Sequence, residues 1–198
     1  MRYDPEKHHR RSIRLKGYDY SQPGAYFVTI CTLNRDCLFG EIRNDEMVLN
    51  MFGEIILEKW NNIPKHFQHT KLDAFGPMPN HVHGILFITG SYVGAKHSNT
   101  NIIRRFEDTS QNASHLQGRP HGTRPGSLSA IMQNYISITT RKINQIRNTP
   151  GEKLWQRNFY EHIIRNEKEL NQIRDYIIHN PLKWEEDRNN PKNWKKEE

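Results

Sequence analysis

The chain has 198 residues, enough for one domain with an insertion and a real core. Only 34% of them are hydrophobic and the mean hydropathy is −0.91, so much of the chain must be solvated loop, helix surface or tail. Lys and Arg number 29 against 22 Asp and Glu, and the resulting +7 charge points to a polyanionic partner, nucleic acid first, although a basic protein need not bind one. Two cysteines, Cys31 and Cys37, exclude a disulfide framework or a thiolate zinc cluster. With no apolar signal core at the start and no run of ~18 apolar residues, a cytoplasmic protein with no membrane part is expected.

Residues 1–24 are basic and turn-rich, with Arg10, Arg11, Arg14 and Lys16 followed by Tyr18, Tyr20, Pro23 and Gly24. Such a segment either grips a phosphate backbone or is a frayed tail. AYFVTICT at 25–32 is β-branched and aromatic, a strand buried on at least one face. A hairpin is expected from 38–42 and 47–49 around the turn at 43–46. Leu49, Phe52, Ile56 and Ile63, with Ile55 and Trp60 nearby, then fall near a helical period that Pro64 stops. Strands follow around 71–75 and 81–88, joined by the turn chemistry of GPMPN at 76–80.

Residues 91–126 change character: polar, rich in Gly and Pro, without sustained period, and read as a loop insertion. Ser127 is a plausible N-cap for a long helix whose buried stripe is Leu128, Ile131, Tyr135, Ile138 and Ile146. Arg141 and Lys142 stand near its end, available to phosphates. Residues 154–165 read as the last strand. A final helix runs from Glu167 to about His179, where Asn180-Pro181 closes it, and 188–198 read as a tail. This order suggests an α+β fold: a ferredoxin-like, RRM-like antiparallel sheet with helices packed on one face. The expected organisation is a basic segment at 1–24, a domain at 25–187 interrupted at 91–126, and the tail.

The chemistry gathers on 73–89, DAFGPMPNHVHGILFIT. His81 and His83 share one face of a strand while Val82 points away, so two imidazoles can hold one divalent ion. In a chain with 11 His such a pair also arises by chance, as two histidines satisfied near a strand end. A partner is available on the last helix. There Leu170, Ile173 and Ile177 form the buried stripe, with Tyr176 and Asn180 one turn apart at its edge. Near a metal-bound phosphate a tyrosine hydroxyl can attack phosphorus, and Asn180 can offer the ion a third, oxygen ligand. The bland alternative is a boundary tyrosine packing its ring on the sheet.

PNHVHGIL at 79–86, WQRNFYEHIIR at 155–165 and IRDYIIHNPLKW at 173–184, with YFVTICTLNR at 26–35, resemble the REP-associated tyrosine transposases of the single-tyrosine HUH superfamily. The blocks come in the same order over 17–187. The resemblance implies that His81 and His83 are the metal pair, Asn180 the third ligand, Tyr176 the nucleophile, and Mg²⁺ or Mn²⁺ the ion. It implies cleavage and rejoining of single-stranded or hairpin DNA through a 5′-phosphotyrosine intermediate, by a monomer or homodimer without a small-molecule cofactor. His162 and Asn80 are expected to support the site. Arg10, Arg11, Arg14, Lys16, Arg141, Lys142 and Arg157 are the candidates for gripping DNA. Tyr160 and Tyr135 are rival nucleophiles ranked below Tyr176. Two other readings stay open: a non-catalytic single-strand-binding module, and a phosphodiesterase whose metal activates water. The insertion at 91–126 exceeds what the family core requires.

Overall fold

The computed structural model describes residue 15 and residues 17–90 and 123–193. Of the expectations above, Arg10, Arg11, Arg14, Lys16, most of the 91–126 insertion and the last five residues lie outside the described residues.

Four strands form one antiparallel sheet in the order β4-β5-β1-β6, where β1 is Gly24–Cys31, β4 Thr70–Met78, β5 His81–Ile88 and β6 Tyr160–Ile164. Between β1 and β4 come the hairpin strands β2 (Gly40–Arg43) and β3 (Glu46–Leu49), which pair only with each other. Helix α1 (Met51–Asn61) and the short α2 (Ile63–His66) follow, then α3 (Leu128–Arg147) after β5 and α4 (Glu167–His179) after β6. Without the hairpin and α4, the order and pairing are ferredoxin-like.

Helices α1 and α3 pack together on one face of the sheet, as expected. Their contact is built on Trp60, which stacks on Phe75 at 4.7 Å and meets Tyr135 edge-on at 5.6 Å. Burying an indole of this size contributes about 4–6 kcal/mol. Trp60 lies against bare backbone: a Cβ at Gly84 would stand 2.4 Å from its ring. The expectation of helices on a single face does not extend to α4, which covers the opposite face. Ile177, Leu170 and Ile173 there close a second cluster around Ala25, Phe27, Ile85 and Ile164. The reason lies in β1, whose interior is buried at every position rather than at alternate ones, so both faces need a cover.

Several local expectations are corrected. The run at 154–165 is not one strand: Trp155 makes an isolated bridge to Thr32, and β6 begins only at Tyr160. Pro64 opens α2 instead of stopping α1, which ends three residues earlier. Gly76–Met78 belong to β4, and the turn into β5 is only Pro79 and Asn80; Pro77 is tolerated because β4 is an edge strand. In α3 the Ser127 cap accepts from Ala130 N as anticipated, but the stripe continues through Thr139 and Ile143 while Ile146 is exposed. Within 188–193, Asn189 and Asn190 are buried while the other four residues are exposed.

Candidate active site

His81 and His83 lie at the start of β5 on the α4 face, buried at 0% and 2% exposure. Their Nε2 atoms are 3.0 Å apart. Burial pushes both imidazoles toward the neutral form. His81 falls to about 3, with Arg35 and Arg188 adding to the effect; His83 falls well below its ordinary value, and the neighbouring His81 adds to that. Neutral imidazoles are the ligand form.

Their outer nitrogens are held. Asn80 donates both amide protons, to Arg35 O at 2.9 Å and Asn189 O at 2.7 Å, so its Oδ1 faces His81 Nδ1 at 2.9 Å and must accept from it. The neutral His81 therefore carries its proton on Nδ1 and turns a lone pair on Nε2 inward. His83 Nδ1 meets Thr29 Oγ1 at 2.8 Å, a bond that serves either tautomer.

Asp187 supplies a third donor that the sequence reading missed. Its Oδ1 accepts from Asn189 N at 2.6 Å, and its Oδ2 lies 3.7 Å from His81 Nε2. Ligand atoms of His81, His83 and Asp187 all fall within 4.8 Å of one another. The carboxylate arrives because the chain turns back after α4 through a 3-10 segment, Pro181–Glu186. It is pinned there by Arg35, which bonds Arg188 O at 3.2 Å and the Asn189 side chain. In the sequence Asp187 is one acid in the run Glu185-Glu186-Asp187, which is no signal.

Two imidazole nitrogens and a carboxylate oxygen suit a divalent cation. The pocket fits the ion that the sequence resemblance implies.

Tyr176, 47% exposed on α4, brings its hydroxyl to 3.3 Å from His83 Nε2. Burial raises the hydroxyl above its ordinary pKa and Asp187 adds to this, while the Asn180 amide and Arg188 pull it down. Asn180 is buried, and its Nδ2 has no hydrogen-bond partner, so the amide stands near the hydroxyl but outside bonding geometry. Asn180 thus joins the cluster, with one orphaned polar atom.

The other expected residues lie apart. His162 bonds Glu169 Oε1 at 2.6 Å, and Glu169 also accepts from Arg165 N, so this histidine braces the start of α4. Tyr135 is buried in the core and donates to Ile56 O. Arg141 and Lys142 are exposed on α3, behind the sheet from the histidines; Arg157 is exposed in the loop before β6. A groove of about 780 Å³ lined by Arg141, Asn144, Lys153 and Trp155 also opens on the α3 side. Among the described residues no helix is long and apolar enough to cross a membrane.

No family model matches the chain. An uncharacterised protein of Haemophilus influenzae is 40% identical over 186 residues, 94% of this chain and 96% of that one. A second protein from the same organism, described as "Putative REP-associated tyrosine transposase", is 46% identical over 44 residues, 22% of this chain and 25% of its own length. Among solved structures, a REP-associated tyrosine transposase bound to a REP hairpin superposes with a TM-score of 0.53 at 17% identity, covering 88% of this chain and 74% of that one. The resemblance read from the sequence blocks is thereby borne out. The chain belongs to one family with the Haemophilus influenzae protein it matches from end to end, and its fold is that of a REP-associated tyrosine transposase.

Proposed function

We propose that the protein is a metal-dependent strand transferase for single-stranded DNA beside a hairpin, working through Tyr176. The observation that carries this reading is the Tyr176 hydroxyl 3.3 Å from His83 Nε2, at the rim of a pocket with three converging metal donors. His81, His83 and Asp187 hold the ion. Asn180 is a fourth donor once its amide turns to place Oδ1 where the orphaned Nδ2 stands. By the family resemblance the ion is Mg²⁺ or Mn²⁺, and such an ion would supply positive charge to the oxygens of a bound phosphate.

The chain's own groups do the rest. The Tyr176 phenol rests protonated at neutral pH, and partial burial raises its pKa further. In the step, the bond from Tyr176 Oη to phosphorus forms as the bond from phosphorus to the 3′ oxygen breaks. The leaving oxygen takes a proton as the phenol loses one, giving a free 3′-OH and a DNA end joined to Tyr176 through its 5′ phosphate. Attack by a 3′-OH reverses the step and rejoins the strand without an external energy source. Hairpin DNA is the substrate by likeness to the solved transposase, which was bound to a REP hairpin.

The test is covalent trapping on a denaturing gel, using the hairpin-forming single strand that flanks the protein's own gene, with Mn²⁺ or EDTA. The reading expects a shifted band in Mn²⁺ only, absent in Tyr176→Phe and His81→Ala and reduced in Asp187→Asn. Metal-dependent cutting that persists in Tyr176→Phe would transfer the role to an activated water. Binding without cutting under any metal would leave a single-strand-binding module.

A further inference from the structure

Strand β6 leaves an aromatic ring at the rim of this site that the chemistry above does not use. Tyr160 is 38% exposed on the outer strand of the sheet. It is in register with Thr29, whose partner on the other side is His83, so the three side chains project from the same face in one row. Its ring meets Phe27 at 6.1 Å, edge to face. Phe27 in turn stacks beside His83 at 5.5 Å and meets Tyr176 at 6.1 Å. One buried ring therefore separates Tyr160 from the attacking hydroxyl's own ring. Arg157, exposed three residues earlier, brings a guanidinium to the same segment.

A partly exposed ring braced by a buried aromatic is already oriented, so covering it costs little further ordering. The whole chain carries a net charge of +7, which suits a polyanionic strand. We infer that Tyr160 is a nucleobase-stacking subsite: its ring takes the π-face of one unpaired base a few nucleotides from the phosphate at Tyr176, with Arg157 beside a flanking phosphate. The position of that base relative to the scissile phosphate rests on reading Tyr176 as the attacking group; the stacking itself does not. Stacking of this kind is tolerant of base identity, so Tyr160 sets where the strand lies rather than which base is chosen.

The test uses the full chain in EDTA and a fluorescein-labelled copy of the hairpin strand flanking its gene, in versions with one abasic site moved along the unpaired region. For the wild type, loss of one particular base should weaken binding roughly tenfold. Tyr160→Leu, which keeps an apolar contact with Phe27, should bind the intact strand roughly tenfold more weakly and become indifferent to that abasic site alone; Tyr160→Phe should behave as wild type. The inference is overturned if Tyr160→Leu keeps the same abasic profile, if its loss is spread over all positions, or if the wild type fails to bind. Covalent trapping in Mn²⁺ is read on the same strands. Coupling at one position without any covalent band leaves the stacking subsite standing and removes the transferase reading; a band without coupling does the reverse.

Discussion

His81 has its tautomer set by Asn80, whereas His83 can take either, and this difference is the most consequential detail at the residue scale. Without an ion, the 3.0 Å between the Nε2 atoms needs a proton, and it comes from His83 Nε2–H with Thr29 Oγ1 donating to Nδ1. With an ion bound, His83 moves its proton to Nδ1 and donates to Thr29 instead. Thr29→Val keeps the shape and leaves that N–H unpaired in a buried site. Mn²⁺ affinity measured by calorimetry should fall roughly 10- to 100-fold. An unchanged affinity would show that Thr29 only packs. Neither this role nor that of Asp187 was legible in the sequence, because Thr29 reads as an ordinary β-branched strand residue and Asp187 as one acid among several.

At the scale of elements, the placement of α4 decides whether Tyr176 reaches the histidines. Two features of β4 set it. From Leu72 to Phe75 the strand takes three steps against two on β5, a bulge whose extra residue leaves Asp73 and Ala74 toward α4. Arg174 grips Asp73 with two bonds, Nε to Oδ1 at 2.8 Å and Nη2 to Oδ2 at 2.6 Å, and its hydrogen bond holds the Asp73 carboxyl below its ordinary pKa. Two residues past the bulge, Gly76 lets the helix close in: a Cβ there would stand 2.7 Å from the Ile177 side chain. Asp73→Asn loosens this grip without touching the metal donors. The partly exposed pair contributes on the order of 1 kcal/mol to stability, so the melting temperature should change little. The rate of covalent-adduct formation should nevertheless drop tenfold or more, because an ångström of displacement at the nucleophile is costly, while Mn²⁺ affinity holds. Equal rates in the variant and wild type would remove Asp73 from the positioning of Tyr176. The bulge left a trace in the sequence: Leu72 and Phe75 are an odd number of residues apart, which breaks the period of two.

At the scale of the whole molecule, the buried histidine pair makes stability depend on pH. Both imidazoles have folded pKa values depressed below the unfolded value of about 6.5, His81 to about 3, so the unfolded chain binds more protons as pH falls through that window. The metal-free protein should therefore lose stability as pH drops from about 6.5 toward 3. The Asp73 and Glu169 carboxyls, also held below their ordinary values, add their own loss only near pH 4 and under. Denaturant midpoints in EDTA at pH 7 and pH 5 check this; equal midpoints would mean that the histidines are solvated and not buried as described. What the sequence by itself determined is local: the apolar run of β1, the hairpin, the Ser127-capped α3, the edge position of Tyr176 and the blocks that resemble a transposase. Period, cap and turn chemistry act over a few residues, so a linear reading recovers them. The tertiary structure alone decided which face of the sheet α4 covers, and that Thr29 and Asp187 join Asn80 around the histidines. Thr29 bonds a histidine 54 positions away, and the bond that orients the Asn80 amide, to Asn189, spans 109, so this geometry exists only once both faces of the sheet are closed.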